Sequence, residues 1–446
     1  MKVLVLNGSP KGNNSITLQT VLYLEKKFPK HKFNILNVGQ KIRSLEKDFT
    51  PAIEAIADAD VLLFSYPVYT FIAPCQLHRF IELLKEHGVN VAGKIATQIT
   101  TSKHFYDITA HRYIQENAQE LGMNFIRGLS ADMEDLTTEK GQKEAVDFWK
   151  HFCWCVKKKY YEPVYVRPVT LSLHQATVPE YASEAQDGDV VIVTDCTPEN
   201  ECLSAMIARF QAVLPKKTRI VNIAEYPFKG GCLGCFNCAV DGTCIYKDGF
   251  DTFLRENIQK ADAIVYAFSI RDHSMGARFK MYDDRQFCNG HRTVTIGMPV
   301  GYLINGCYSV ETNLQTIIEG RANVGQNILT GVATDEYDPN SEIDRLADSL
   351  VYALTHKNTG PQNFYGVGGM KIFRDLIYQM QGMMKADHKF FKSHGQYDFP
   401  QKKKGQIALM YLVGGMLGNE KIKKKMGSKM TEGMLMPYKK VLDKLD

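Results

Sequence analysis

The 446-residue chain lacks any run of about 18 apolar residues, the least that a bilayer-spanning helix needs, so no membrane span is expected. No secretory leader is expected. Met1-Lys2-Val3-Leu4-Val5-Leu6-Asn7 is too short and too soon broken for one, and it reads as a first strand. A cytoplasmic location with reduced cysteines is the expectation. Neither G-x-x-x-x-G-K-[ST] nor G-x-G-x-x-G follows that strand, which disfavours nucleoside triphosphates and Rossmann-type dinucleotides. No acid–base dyad is recognisable. Charge of one sign is also scarce, at a net +5. What excess there is sits in residues 401–446, where eleven lysines face four acids, and the remainder is close to neutral. No nucleic-acid partner is expected.

Cysteine, by contrast, is concentrated. Four of the eleven cysteines, Cys232, Cys235, Cys238 and Cys244, fall within thirteen residues at the spacing C-x2-C-x2-C-x5-C. Four soft thiolates on one turn-rich loop can converge on one metal centre. Gly231 and Gly234 let that loop turn sharply, and Asp241-Gly242 brings Cys244 back. A 4Fe–4S cluster is the leading assignment, since structural zinc usually shows two separated ligand pairs; zinc, a disulfide and buried free thiols are the alternatives.

Strand and helix patterns alternate on both sides of this loop. In the first part, strands are expected at 2–8, 33–38, 61–65, 94–100 and 124–129, with helices near 17–28, 49–57, 76–82, 108–121 and 138–157. This order predicts a parallel sheet with ligands beyond its C-terminal strand ends. The segment Ser9-Pro10-Lys11-Gly12-Asn13-Asn14-Ser15-Ile16-Thr17 lies between a strand and a helix N-terminus, where backbone N–H groups and the helix dipole favour a phosphate.

Asn7-Gly8-Ser9-Pro10-Lys11, Pro67-Val68-Tyr69 and Ile99-Thr100-Thr101-Ser102 together resemble the NADPH-dependent FMN reductase family of flavodoxin-like folds. The resemblance implies that Ser9, Lys11, Asn14, Ser15 and Thr17 hold the FMN phosphate. It places Pro67, Val68 and Tyr69 against the ribityl chain and isoalloxazine, with Thr101 and Ser102 at the flavin edge. Thr17 stands one place later than in the family pattern. Lys103-His104 replaces a frequent Gly-Gly, which implies a more basic flavin edge.

After an extended connection at 161–186, with room for a strand at 164–172, the pattern restarts. Strands are expected at 189–195, 219–224, 263–269, within 294–305 and at 328–333. The order matches the first part and suggests an internal duplication. This part resembles iron–sulfur flavoproteins of the same superfamily, which carry the compact cysteine motif after the second strand and a helix like Arg278–Arg285. Its phosphate-loop counterpart, Thr194–Glu201, holds three acids that would repel phosphate. One FMN in the first part and one cluster in the second are therefore expected. Cys153, Cys155, Cys196, Cys202, Cys288 and Cys307 read as structural thiols, with Cys307 nearest a would-be flavin edge. Arg271 and His273 could line the space between the two cofactors, and Tyr69 and Tyr302 a substrate pocket. Beyond Gly360-Pro361, one Met- and aromatic-rich helix is expected over 367–390, then an apolar segment 407–417 and the lysine-rich 421–429.

The expected organisation is α/β, two tandem flavodoxin-like doubly wound sheets (1–160 and 187–358) and a helical basic extension (359–446). The expected function is a flavin- and iron–sulfur-dependent oxidoreductase. Its donor is a ferredoxin-like redox protein or NAD(P)H, its acceptor a small molecule, and a second copy of the chain is an expected partner. The alternatives are a non-catalytic electron carrier, or an FMN-dependent quinone or flavin reductase with structural zinc.

Overall fold

The computed structural model describes residues 1–164 and 173–445, with side chains for all of these except 422–432. The chain divides into two compact units, Met1–Phe390 and Phe391–Asp446. The first contains two parallel sheets. One is built from β1 (Lys2–Asn7), β2 (Lys32–Leu36), β3 (Val61–Pro67), β4 (Ile95–Ser102) and β5 (Asn124–Phe125), in the order β2-β1-β3-β4-β5, with β6 (Leu129–Asp132) also paired to β4. The other is built from β7 (Gln186–Thr194), β8 (Lys216–Asn222), β9 (Ala263–Ser269), β10 (Pro299–Asn305) and β11 (Ile328–Thr334), in the order β11-β10-β9-β7-β8. Counted from its own first strand, each sheet runs 2-1-3-4-5, the flavodoxin-like order.

The central strands are continuous apolar runs, as parallel strands covered on both faces must be. In β1, Val3–Asn7 are buried, and in β3, Val61–Tyr66 are buried. Trp149 and Phe152 of the helix Glu139–Lys158 cover the outer face of the first sheet together with Val3, Val5 and Leu63. Leu203, Phe210, Leu346 and Leu350 cover the outer face of the second. A third apolar cluster runs continuously from Leu6, Phe64 and Phe80 to Phe268, Phe279 and Ile317, so the inner faces of the two sheets share one core. Within it the helices Cys75–Glu86 and Gly276–Arg285 pack directly against each other.

Several elements differ from the sequence-based expectation. The strand expected at 124–129 is two short strands, and Val38, placed at a strand end, opens the helix Val38–Leu45. That helix starts hard against the first loop: a Cβ on Gly39 would lie 2.3 Å from the Gly8 carbonyl oxygen. The single helix expected over 367–390 is two, Phe364–Gln379 and Lys385–Ser393, because the chain turns through 380–384. Met380 and Met384 kept the helical period across that turn and hid it from the sequence. The strand expected at 164–172 falls outside the described residues. In the second unit, the helix Lys404–Leu417 is followed directly by the helix Glu420–Leu442.

Candidate functional site

Three loops leave the C-terminal ends of β1, β3 and β4. In the first, the Asn7 amide donates to the Gly12 carbonyl (2.9 Å) and to Asn37 (2.8 Å), and the Ser9 N–H returns to the Asn7 oxygen (3.3 Å). Ser15 caps the helix Ile16–Lys27 by accepting from the Leu18 N–H. Thr17 reaches across to the third loop, its hydroxyl 2.6 Å from that of Thr101. The second loop is folded back by a Tyr69–Ile72 bridge, with Thr70 (φ 44°) and Phe71 (φ 77°) both left-handed. Such conformations cost a non-glycine residue of the order of 1–3 kcal/mol and persist only where the surroundings hold them.

What holds them comes from the second sheet's half. Asp284, fully buried, accepts from the Thr70 hydroxyl (2.7 Å) and from the Cys75 N–H (2.8 Å). Lys280, also fully buried, donates to the Tyr69 carbonyl (3.0 Å) and pairs with Asp283 and Asp284. Both lie on the helix Gly276–Arg285, which the sequence marked as a family-like segment without showing that it clamps the flavin-type loop of the other half.

The cysteine loop follows β8 and lies on this clamp. The Tyr69 hydroxyl donates to the Leu233 carbonyl (3.3 Å), and the Gln76 amide to the Cys232 carbonyl (3.4 Å). Gly234, at φ +60°, sits so close that a Cβ would be 1.9 Å from the Tyr69 oxygen. Arg285, fully buried, donates to the Gly230 carbonyl (2.9 Å) and forks onto Asp248.

One cavity of about 330 Å³ joins these parts. From the first half it is lined by Ser9, Lys11, Ser15 and Thr17, by Pro67, Val68 and Tyr69, and by Thr101 and Ser102. From the second it is lined by Cys232, Cys235, Cys238 and Cys244. Asn14 does not line it; it is exposed on the turn Gly12–Asn14. Phe71, Phe105, Tyr302 and Phe373 add an aromatic wall, and Arg321 stands over the Phe71 ring while pairing with Asp283 (2.5 Å). Phe373 belongs to the helix Phe364–Gln379 and stacks on Phe105 at 4.4 Å, so that helix closes the cavity as well as packing on the core.

The cavity suits a flavin mononucleotide. It has hydroxyl and ammonium groups and a helix N-terminus at one end, and apolar and aromatic faces beyond. The cysteines offer the right donor chemistry for a cluster. All eleven are free thiols; Cys238 is buried, Cys232 and Cys244 are half-buried and Cys235 is exposed. Burial, followed by the neighbouring Asp387 and thiols, pushes Cys238 up to about 12, and burial raises Cys232 strongly. Metal binding to such thiols must release their protons. Among the described residues, no group of three or more His, Cys, Asp or Glu side chains is drawn together as a ready ligand set.

Other expectations are corrected. Lys103 lines the cavity but is paired with Asp132 (2.8 Å) and Glu134 (3.3 Å), and His104 with Asp107 (2.8 Å), so the added positive charge expected there is offset. His273 and Arg271 do not line the cavity; His273 instead bridges Glu311 (2.9 Å) and Glu120 (3.3 Å). Cys288, read as structural, does line it, buried and pushed up to about 12 by that burial, whereas Cys307 does not. In the second sheet the corresponding strand ends are tied to one another. Asn200 donates to Ser269 (2.6 Å), Ser269 to Asn305 (2.6 Å) and Asn305 to Asp335 (2.5 Å). Nearby Asp195 is pushed up to about 6 by burial.

The chain is similar to solved structures along about a third of its length. A putative quinone reductase from Klebsiella pneumoniae is 14% identical, over 39% of this chain and 91% of that one, with a TM-score of 0.28. General stress protein 14 from Treponema denticola, solved with FMN, is 12% identical over 34% and 99%, with a TM-score of 0.29. An NAD(P)H:quinone oxidoreductase from Methanothermobacter marburgensis is 10% identical over 36% and 96%, with a TM-score of 0.27. No curated protein matches the chain. Residues 1–134, which carry all three loops around β1, β3 and β4, match the family model of NADPH-dependent FMN reductases.

Proposed function

We propose that the chain is an FMN-dependent oxidoreductase in which the first half holds the flavin and the second places a cysteine-ligated 4Fe–4S cluster beside it. The observation that carries this reading is the single cavity lined by both the family-matched loops and the four clustered cysteines. Bound there, FMN would exchange one or two electrons and the cluster one at a time. Ser9, Lys11, Ser15 and Thr17 take the phosphate; Pro67–Tyr69 and Thr101–Ser102 orient the ring. Lys280 and Asp284 fix the ring-facing loop from the cluster side, which couples the two positions mechanically. The two halves, with the same strand order, are read as copies that kept complementary sites. The hydrogen-bonded strand ends of the second sheet, together with the acids of Thr194–Glu201, support a single flavin.

Electrons would enter from ferredoxin or NAD(P)H and leave to a small acceptor against the aromatic wall of Phe71, Phe105 and Phe373. A narrower reading, an FMN-dependent quinone or flavin reductase with structural zinc, is favoured by one observation: the family match ends at residue 134, before the cysteines. Anaerobic titration separates them. Reduced ferredoxin should bleach both flavin and cluster bands, and a quinone should restore them. Bleaching by NAD(P)H of a flavin band alone, in a zinc-containing protein, sinks the cluster reading.

A further inference from the structure

The second unit presents a surface that electron transfer in the cavity does not use. The helix Lys404–Leu417 reads KGQIALMYLVGGML and carries no charge after Lys404. Ile407, Leu409, Met410, Tyr411, Leu412 and Met416 are all exposed, Tyr411 at 80%. At about 100° per residue these positions spread round the whole circumference of the helix, not along one stripe. A protein groove or a partner helix covers one stripe; lipid acyl chains cover every face. The helix has 14 residues, about 21 Å at 1.5 Å each, well short of a bilayer core. Among the described residues, no helix is long and apolar enough to cross a membrane.

Charge is placed to match. In the sequence, Lys402 and Lys403 precede the apolar helix, Lys404 opens it and Lys421 follows it. In the helix Glu420–Leu442, exposed Met434, Met436 and Tyr438 precede the adjacent Lys439 and Lys440, and exposed Val441 follows them. Apolar side chains bracketed by lysines suit the boundary between acyl chains and anionic headgroups, where lysine stems extend along the apolar layer and ammonium groups stay among phosphates.

We propose that the helices Lys404–Leu417 and Glu420–Leu442 form a docking surface for an anionic phospholipid membrane, with Lys404–Leu417 sunk among the acyl chains below the headgroups without spanning the bilayer. The proposal rests on the second unit alone and stands or falls independently of the flavin reading. Flotation of the full chain with vesicles tests it. Vesicles of phosphatidylcholine containing phosphatidylglycerol should carry the protein up and pure phosphatidylcholine vesicles should not, with binding weakened by added salt. Lys403→Gln and Lys404→Gln should each lower affinity about fivefold. Met410→Asp with Leu412→Asp should abolish binding with the thermal transition unchanged, because both side chains are already exposed. No flotation with anionic vesicles, or equal flotation with neutral ones, overturns the proposal. So does a dimer in solution that the two aspartates dissociate while vesicles fail to bind, since a second copy would then be the occupant. Binding to an acidic redox protein in place of vesicles likewise overturns it.

Discussion

Asp284 ties the Thr70 loop and the start of the helix Cys75–Glu86 to one side chain. It accepts from Thr70 on the flavin-side loop and from the Cys75 N–H, and its negative charge bears on the neighbouring Cys232 thiol. Hydrogen bonds to a buried charge contribute about 1.5–3 kcal/mol each. Asp284→Asn keeps the size but removes the charge that Lys280 and Thr70 face. FMN affinity should fall about tenfold or more, read by flavin fluorescence in a titration of the apoprotein; unchanged affinity would mean that the loop holds its left-handed turn unaided. Gly234→Ala makes a second residue-scale test. The added Cβ meets the Tyr69 oxygen at 1.9 Å and forces a side chain into φ +60°. A loss of about 1–3 kcal/mol in thermal or denaturant stability is expected. That Gly234 serves a sharp turn was legible in the sequence; that Tyr69, 165 positions earlier, presses on it was not. Lys280 and Asp284 were legible only as parts of a helix motif, because their partners lie on the other sheet's loop.

The helices Cys75–Glu86 and Asp107–Glu120 meet the loop that leads into Gly276–Arg285 through charged contacts between the halves. Asp272 is fully buried. Burial pushes its carboxyl up, but His78 (2.6 Å) and the Tyr113 hydroxyl (2.7 Å) outweigh it and hold the carboxyl at about 2. His273 is likewise opposed by burial, yet Glu120 and Glu311 raise it to about 10. The signs differ. The Asp272 contribution, about 2 kcal/mol, is present above its ordinary value of 3.8 and fades as pH falls toward 2. The His273 contribution is full below 6.5 and fades as pH rises toward 10. Melting curves across pH should show Asp272→Asn flattening the acid limb and His273→Gln the alkaline limb. A wild-type alkaline limb retained in His273→Gln contradicts the assignment. The sequence placed these helices well, since apolar period and strand–helix alternation are local signals. It misread Val38–Leu45 and the turn at 380–384, where local apolar residues continued a pattern that the backbone did not.

For the molecule as a whole, the arrangement rests on one cavity shared by the loops at the C-terminal strand ends of the first sheet and by the cysteine loop of the second half. That meeting was readable only through the resemblance to iron–sulfur flavoproteins, because no local signal in the sequence says which loops of the two halves face each other. The sequence could not supply the aromatic wall from Phe364–Gln379 or the presence of Cys288, which depend on how distant segments close over the cavity. Phe373 gives a whole-molecule test. Phe373→Ala removes the ring stacked on Phe105 of the third loop and opens the cavity there, leaving the Ser9–Thr17 and Pro67–Tyr69 loops untouched. It should raise the KM for a quinone acceptor several-fold while FMN content stays at wild-type level; loss of FMN would place Phe373 against the flavin instead.

The most direct measurement is the iron, sulfide and FMN content of the anaerobically purified chain beside its Cys238→Ser variant. The account predicts about four irons and one FMN per wild-type chain, and a variant that loses iron while keeping its flavin. Zinc in place of iron, two flavins per chain, or a Cys238→Ser protein with undiminished iron would contradict it.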